Sequence, residues 1–210
     1  MILNHIPYLQ FASLLGFVFT MHPWLQTDKH RQWILSTTVN TVVSIAGAYQ
    51  LLYWLYTGDI TPGTGSNFLA DFLYGYMLAD LIHNGWYYAQ TMNPLEFWVH
   101  HIIYIFLFDT IRTHQLTGFL RGFFIMELPS AIRAWGTMNS SWRSDTTFGV
   151  AFFLCRVLLP FYVYKHIYAA SPWWSILPFS AAQCMHIYWF ALWCKGTIRR
   201  LRTATPPVAS

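Results

Sequence analysis

Residues 67–90 read NFLADFLYGYMLADLIHNGWYYAQ. Tyrosines aside, the only titrating groups in this run are Asp71, Asp80 and His83. It is long enough to meet the roughly 20 residues that cross a bilayer as a helix. Working outward, six further apolar stretches approach or meet that length. Upstream lie Ile6 to Trp24, the weakest of the set, and Trp33 to Tyr56. Downstream, an Asn93-Pro94 turn leads into Leu95 to Ile111, followed by Leu116 to Trp135 and Thr147 to Ala169. A Ser171-Pro172 break then precedes Trp173 to Cys194. Short polar loops join them, the clearest running from Gly58 to Ser66 and from Gly136 to Asp145. The expected fold class is all-α: a polytopic transmembrane bundle of seven helices, or six if the first stretch lies on the membrane. No internal repeat or heptad pattern is present.

Composition points the same way. Charged residues make up 10% of the 210 positions, against about 25% in soluble domains. So few charges cannot solvate the surface of a globule this size, and lipid is the simplest cover. Mean hydropathy is only +0.35 because Trp, Tyr and His score as polar, yet the 11 Trp, 13 Tyr and 17 Phe suit interfacial belts and tight helix packing. The net charge of +4 does not indicate nucleic acid, since the basic residues sit at helix ends. Cys155, Cys184 and Cys194 fall inside predicted spans, with no disulfide or metal-ligand spacing. The first apolar stretch has no basic residue ahead of it and no small-x-small site, so it reads as a retained span.

Charge sets the orientation. One side holds Lys29, Arg31, Arg133, Arg143, Lys195, Arg199, Arg200 and Arg202, while the other has only Arg112, Arg121 and Lys165 near it. The crowded side is cytoplasmic by the positive-inside rule, which puts the N-terminus in the lumen or exterior and the C-terminus in the cytosol. Three segments follow: residues 1–32 as first span and cytoplasmic loop, 33–200 as the bundle, and 201–210 as a disordered, Pro/Ala/Thr-rich cytoplasmic tail.

A charge at mid-bilayer costs about 2.5–3.5 kcal/mol on insertion scales, so each one needs a reason. His83, His100, His101, Glu127, Arg156 and His186 come from five spans. Each lies about six to ten residues from the cytoplasmic end of its own span, or roughly 9–15 Å deep at 1.5 Å per residue. Asp80 is a turn deeper, on the face of His83. Taken singly, a buried histidine is commonly a packing residue, and Arg156 with Glu127 can be a structural ion pair. Coincidence of depth across five helices favours a polar chamber. The pair His100-His101 points about 100° apart, so one imidazole can line a cavity while the other braces a neighbour. An imidazole can serve as base, acid or nucleophile near neutral pH. One His pair does not supply the converging ligands of zinc or the several His boxes of a di-iron site. No metal or bound cofactor is expected.

Several short motifs occur in a telling order: Gly75-Tyr76-Met77-Leu78-Ala79-Asp80-Leu81-Ile82-His83; His100-His101-Ile102-Ile103; Glu127-Leu128-Pro129-Ser130 with Arg133 and Trp135; Phe152-Phe153-Leu154-Cys155-Arg156; and His186-Ile187-Tyr188-Trp189-Phe190. Over residues 33 to 200 this order resembles the TLC-domain family, which includes ceramide synthases and smaller lipid-homeostasis proteins. The resemblance implies a helical bundle of the endoplasmic reticulum or a related membrane, enclosing an apolar tunnel. In the ceramide-synthase branch the His pair serves acyl transfer from acyl-CoA to a lipid amine. Carried over, His100, His101, Glu127 and Asp80 would be catalytic, with His83, Arg156, His186, Tyr188 and Trp189 binding substrate and acyl-CoA as co-substrate. The chain departs from that branch where Met126 and Ser130 replace a His and an acid, so it looks more like the smaller branch. Three readings stand: a protein that binds a membrane lipid or fatty acyl chain, an acyl-CoA-dependent N-acyltransferase, and a transporter or channel. The mostly apolar luminal half, apart from Asp71 and Asp109, counts against the third. Oligomeric state is left open.

Overall fold

The computed structural model describes residues 6–25, 27–170 and 173–204, and among them every regular element is helical. Helix α1 spans Ile6–Met21, α2 Asp28–Thr57, α3 Thr64–Tyr87 and α4 His100–Thr113. Helix α5 spans Leu128–Met138, α6 Asp145–Phe152, α7 Leu159–Ala170 and α8 Trp173–Ala204. The all-α expectation holds. One stretch among the described residues, Asp145–Lys165, is long and apolar enough to cross a membrane by length and composition.

Local chemistry sets the ends of these rods. Thr27 caps α2 by accepting from the His30 N–H at 3.2 Å, and Asp28 sits where the helix dipole favours an acid. Gly58 closes α2 in the left-handed region at φ 66°, its N–H bonded to the Trp54 carbonyl at 2.7 Å; a Cβ there would be strained. Asp59 then organises the turn, accepting from the Thr61 N–H and hydroxyl at 2.8 and 2.6 Å. Arg121 reaches the same carboxylate at 2.8 Å.

The fifth expected span is not one regular helix. Residues Thr117–Gly122 and Phe124–Glu127 form 3₁₀ turns, and α-helix begins only at Leu128. Pro129 has no N–H to extend the ladder backwards and is suited to a helix start. Close backbone approach also shapes this segment. A Cβ on Gly118 would strike the Ile60 carbonyl, and one on Gly47 would come within 2.7 Å of the Phe124–Ile125 backbone.

Two π-helical turns break the remaining regularity. Leu95–Val99 leads directly into His100 and His101. Phe153–Leu158 joins α6 to α7. Here Pro160 lacks the N–H that would bond the Arg156 carbonyl, and its ring crowds that oxygen. Gln183 of α8 supplies the missing donor at 3.2 Å.

In the bundle α1 packs on α3, α2 on α5 and the turns before it, α3 on α4, and α4 on α8. Leu35, Val39, Val43, Leu73, Met77, Ile111, Phe124 and Val163 form the centre of the apolar core. The outward faces are apolar too: Ile45, Leu52, Ile102, Phe106 and Leu177 are exposed. Residues 201–204, expected in the tail, continue α8; the rest of that segment, 205–210, and the Ser171-Pro172 break lie outside the described residues.

Candidate functional site

The polar residues of α3 recur every four positions, so Tyr76, Asp80 and Asn84 share one face. Opposite them α2 presents Ser36 and Asn40, again one turn apart. These two rows meet the start of α4 and the π turn carrying Arg156 around a cavity of about 750 Å³, the size of a small-molecule site. Burial gives its direction. Asp80, His101 and Arg156 are 3%, 6% and 7% exposed and form the floor. Arg143 and Arg200, at 68% and 54% side-chain exposure, stand with Arg133 at the mouth.

His101 is held at both nitrogens. Nδ1 lies 2.8 Å from the Phe97 carbonyl, and Nε2 lies 2.9 Å from Asp80 Oδ2. A carbonyl only accepts, so Nδ1 carries a hydrogen, and one further proton is shared between Nε2 and the carboxylate. Asp80 Oδ1 accepts from Asn84 Nδ2 at 2.8 Å and from Ser36 Oγ at 3.5 Å, and Ser36 also meets the Tyr76 hydroxyl at 3.0 Å.

His100 faces otherwise. Its ring packs at a tilt against Tyr104 and Trp189, with centroids 4.5 and 5.4 Å away. It lines the cavity, and its buried Nδ1 has no hydrogen-bond partner among the described residues. The two neighbouring rings are nearly perpendicular, at 83°.

Arg156 donates through Nε to the Met126 carbonyl at 2.7 Å and through Nη2 to Glu127 at 3.1 Å and Ser130 at 2.5 Å. Glu127 therefore partners the guanidinium, and no hydrogen bond joins it to either imidazole of the pair. It lines a second, smaller and mostly apolar space of about 40 Å³ together with Tyr104 and His186. Tyr104 Oη and His186 Nε2 are 2.9 Å apart.

The sequence-predicted residues thus divide. Asp80, His100, His101, Arg156 and Trp189 line the large cavity. Glu127 and His186 line the small one. His83 is wholly buried against the rings of Phe19, Tyr87 and Tyr88, on the side of α1. Tyr188 is 48% exposed and does not line either cavity. Of the expected apolar tunnel the described residues show two spaces: the large one is lined by polar and apolar side chains together, Trp33, Phe97, Phe148, Phe152, Leu192 and Trp193 among the latter, and the small one is mostly apolar. Sequence reasoning passed over Ser36, Asn40 and Asn84, although the four-residue spacing in α2 and α3 carried the signal, and it passed over Gln183 of α8, which that spacing does not mark. Among the described residues no three His, Cys, Asp or Glu converge to hold a metal ion.

Polar atoms left without partners gather here. Asn40 Oδ1, Asn84 Oδ1, His100 Nδ1, Trp189 Nε1 and Trp193 Nε1 are buried and unpaired, and all five residues line the large cavity. Each such atom in a folded protein calls for an explanation, commonly a ligand or water. A search of protein families, of curated proteins and of solved structures finds no match for this chain.

Proposed function

We propose that this chain is a polytopic membrane protein of TLC type, in the endoplasmic reticulum or a related membrane, that binds the polar headgroup of a membrane lipid in the large cavity. The N-terminus is luminal and the C-terminus cytosolic in this reading, and the cavity is entered from the cytosolic side. The observation that carries it is the large cavity itself, whose floor holds the Asp80–His101 and Arg156–Ser130 pairs side by side. A headgroup bearing both hydroxyl or amine hydrogens and acceptor oxygens would meet the carboxylate and the guanidinium together. Support for the bilayer setting comes from the apolar outer faces, with Ile45 at 71%, Leu52 at 66% and Leu177 at 73% exposure, set against buried ionisable groups within. Such faces are unusual on a soluble monomer.

The test is native mass spectrometry of the full chain released from neutral detergent. Wild type should retain a lipid, and Arg156→Gln should retain at least tenfold less. A wild type that carries no lipid under conditions preserving its helical content would remove this reading.

A second reading has one observation in its favour, the His100 imidazole in the cavity beside the Asp80–His101 pair. A neutral His100 nitrogen would attack the thioester carbon of an acyl-CoA; the C–S bond breaks and the thiolate of coenzyme A leaves. A lipid amine would then attack the acyl carbon, the C–N bond to His100 breaks, and the amine proton passes to the freed imidazole. Incubation with acyl-CoA and a panel of lipid amines tests it. If wild type and His100→Ala are equally inert, with no acyl adduct on His100, this reading is withdrawn.

A further inference from the structure

Helix α8 presents two different faces. At about 100° per residue, His186, Trp189, Trp193 and Arg200 fall within one arc of about 60°. That arc turns inward: Trp189, Trp193 and Arg200 line the large cavity, and His186 is wholly buried. Arg200 ends it on Asp145, with Nη2 3.5 Å from Oδ2. On the opposite side Ile187, Tyr188 and Leu192 are exposed. A turn further along, the same outward face carries Lys195, Arg199 and Arg202, spaced four and three residues apart and all exposed. None of these three forms an ion pair among the described residues. Residues 146–210 contain no Asp or Glu. The outer face of α8 therefore passes from apolar to cationic with no acid of its own to balance it.

We infer that Lys195, Arg199 and Arg202 form a docking stripe for the anionic phospholipid headgroups of the leaflet in which α8 ends. This rests on the membrane reading above and goes beyond it, since the stripe lies outside the bundle and not in the cavity. A bilayer fits the face better than an acidic protein or a soluble anion. The exposed Ile187, Tyr188 and Leu192 call for acyl chains as neighbours, and a phospholipid carries its phosphate at the end of such chains. From Leu192 to Lys195 the helix rises about 4.5 Å, and from Lys195 to Arg202 about 10 Å. That second rise crosses the headgroup layer, which adds about 5–7 Å on each side of the hydrocarbon. Lysine and arginine stems lie along apolar surface while their charged heads reach outward. Basic clusters at the cytosolic end of a span attract anionic lipid in this way.

Native mass spectrometry of the full chain in neutral detergent tests the stripe. The probes are dioleoyl phosphatidylglycerol and dioleoyl phosphatidylcholine, which share acyl chains and differ in net charge. Wild type should bind the anionic probe at least about fivefold more tightly, and the preference should shrink as salt rises. Lys195→Gln with Arg199→Gln and Arg202→Gln should abolish the preference at unchanged helical content. Arg199→Lys with Arg202→Lys should retain it. Equal binding of the two probes by wild type, a preference that survives the triple substitution, or one lost in the lysine variant overturns the stripe. Arg156→Gln should leave the preference intact; its loss there would assign the anionic lipid to the cavity and also overturn the stripe. Lipid retained in an Arg156-dependent way would in each of these cases leave the headgroup cavity standing. A chain released from membranes by alkaline carbonate would remove both.

Discussion

At the scale of single residues, the Asp80–His101 pair separates charge from hydrogen bonding. Asp80→Ala leaves a buried imidazole with no partner at Nε2. Breaking a buried pair from one side costs about 3–5 kcal/mol. Asp80→Asn instead keeps an amide N–H for a neutral Nε2 and a carbonyl for Asn84, so it should unfold much closer to wild type in a thermal melt in detergent. Trp189→Phe runs the other way. An unpaired buried donor is worth a penalty of about 1–3 kcal/mol, so removing the Trp189 N–H should leave the protein equally or more stable in a thermal melt. A clear loss of stability would mark the indole as a packing group. In the turn after α2, Asp59 is held well below the ordinary carboxylate value of 3.8, chiefly by the Thr61 hydroxyl, then by the Thr61 N–H and Arg121. A depressed carboxyl adds stability that is present above its unfolded value and lost as pH falls below it. Melts recorded below about pH 4 should therefore show wild type losing an advantage over Asp59→Asn that it holds at neutral pH.

At the scale of elements, the irregular turns position the site. A π turn holds one more residue than α-helix would over the same ladder. Deleting Cys155 from Phe153–Leu158 should regularise the backbone and turn Arg156 by about 100° relative to α6. Helical content by circular dichroism should persist while lipid retention drops at least tenfold. Close approach gives a second contrast. Gly47→Ala pushes a methyl into the Phe124–Ile125 backbone, which cannot yield cheaply, and should destabilise by about 1–3 kcal/mol. Gly16→Ala in α1 meets nothing within 4 Å and should be neutral or stabilising, since Ala favours helix over Gly by about 1 kcal/mol.

At the scale of the whole molecule, the arrangement of charge predicts topology. A glycosylation acceptor placed in the Gly58–Gly63 turn should be modified in microsomes, and one after Ser210 should not. Arg143→Cys should react with an impermeant thiol reagent added from the cytosolic side. The opposite pattern would invert the cavity and expose its arginines to the lumen. The end opposite the large cavity has its own polar ties, Arg112 to Asp71 and Arg121 to Asp59. They brace the loops and leave the large cavity to the other end.

Residue order alone determined that this chain is helical, because length and apolar content are one-dimensional quantities. The pairings were decided only in three dimensions. Depth grouped Glu127 with the imidazoles, but rotation about each helix axis gave it to Arg156 and gave His101 to Asp80. The same rotation turned His83 toward α1 and Tyr188 outward. Azimuth depends on where 3₁₀ and π turns shift the ladder and on which glycines let backbones touch, and those are properties of neighbours that a single sequence pattern does not contain.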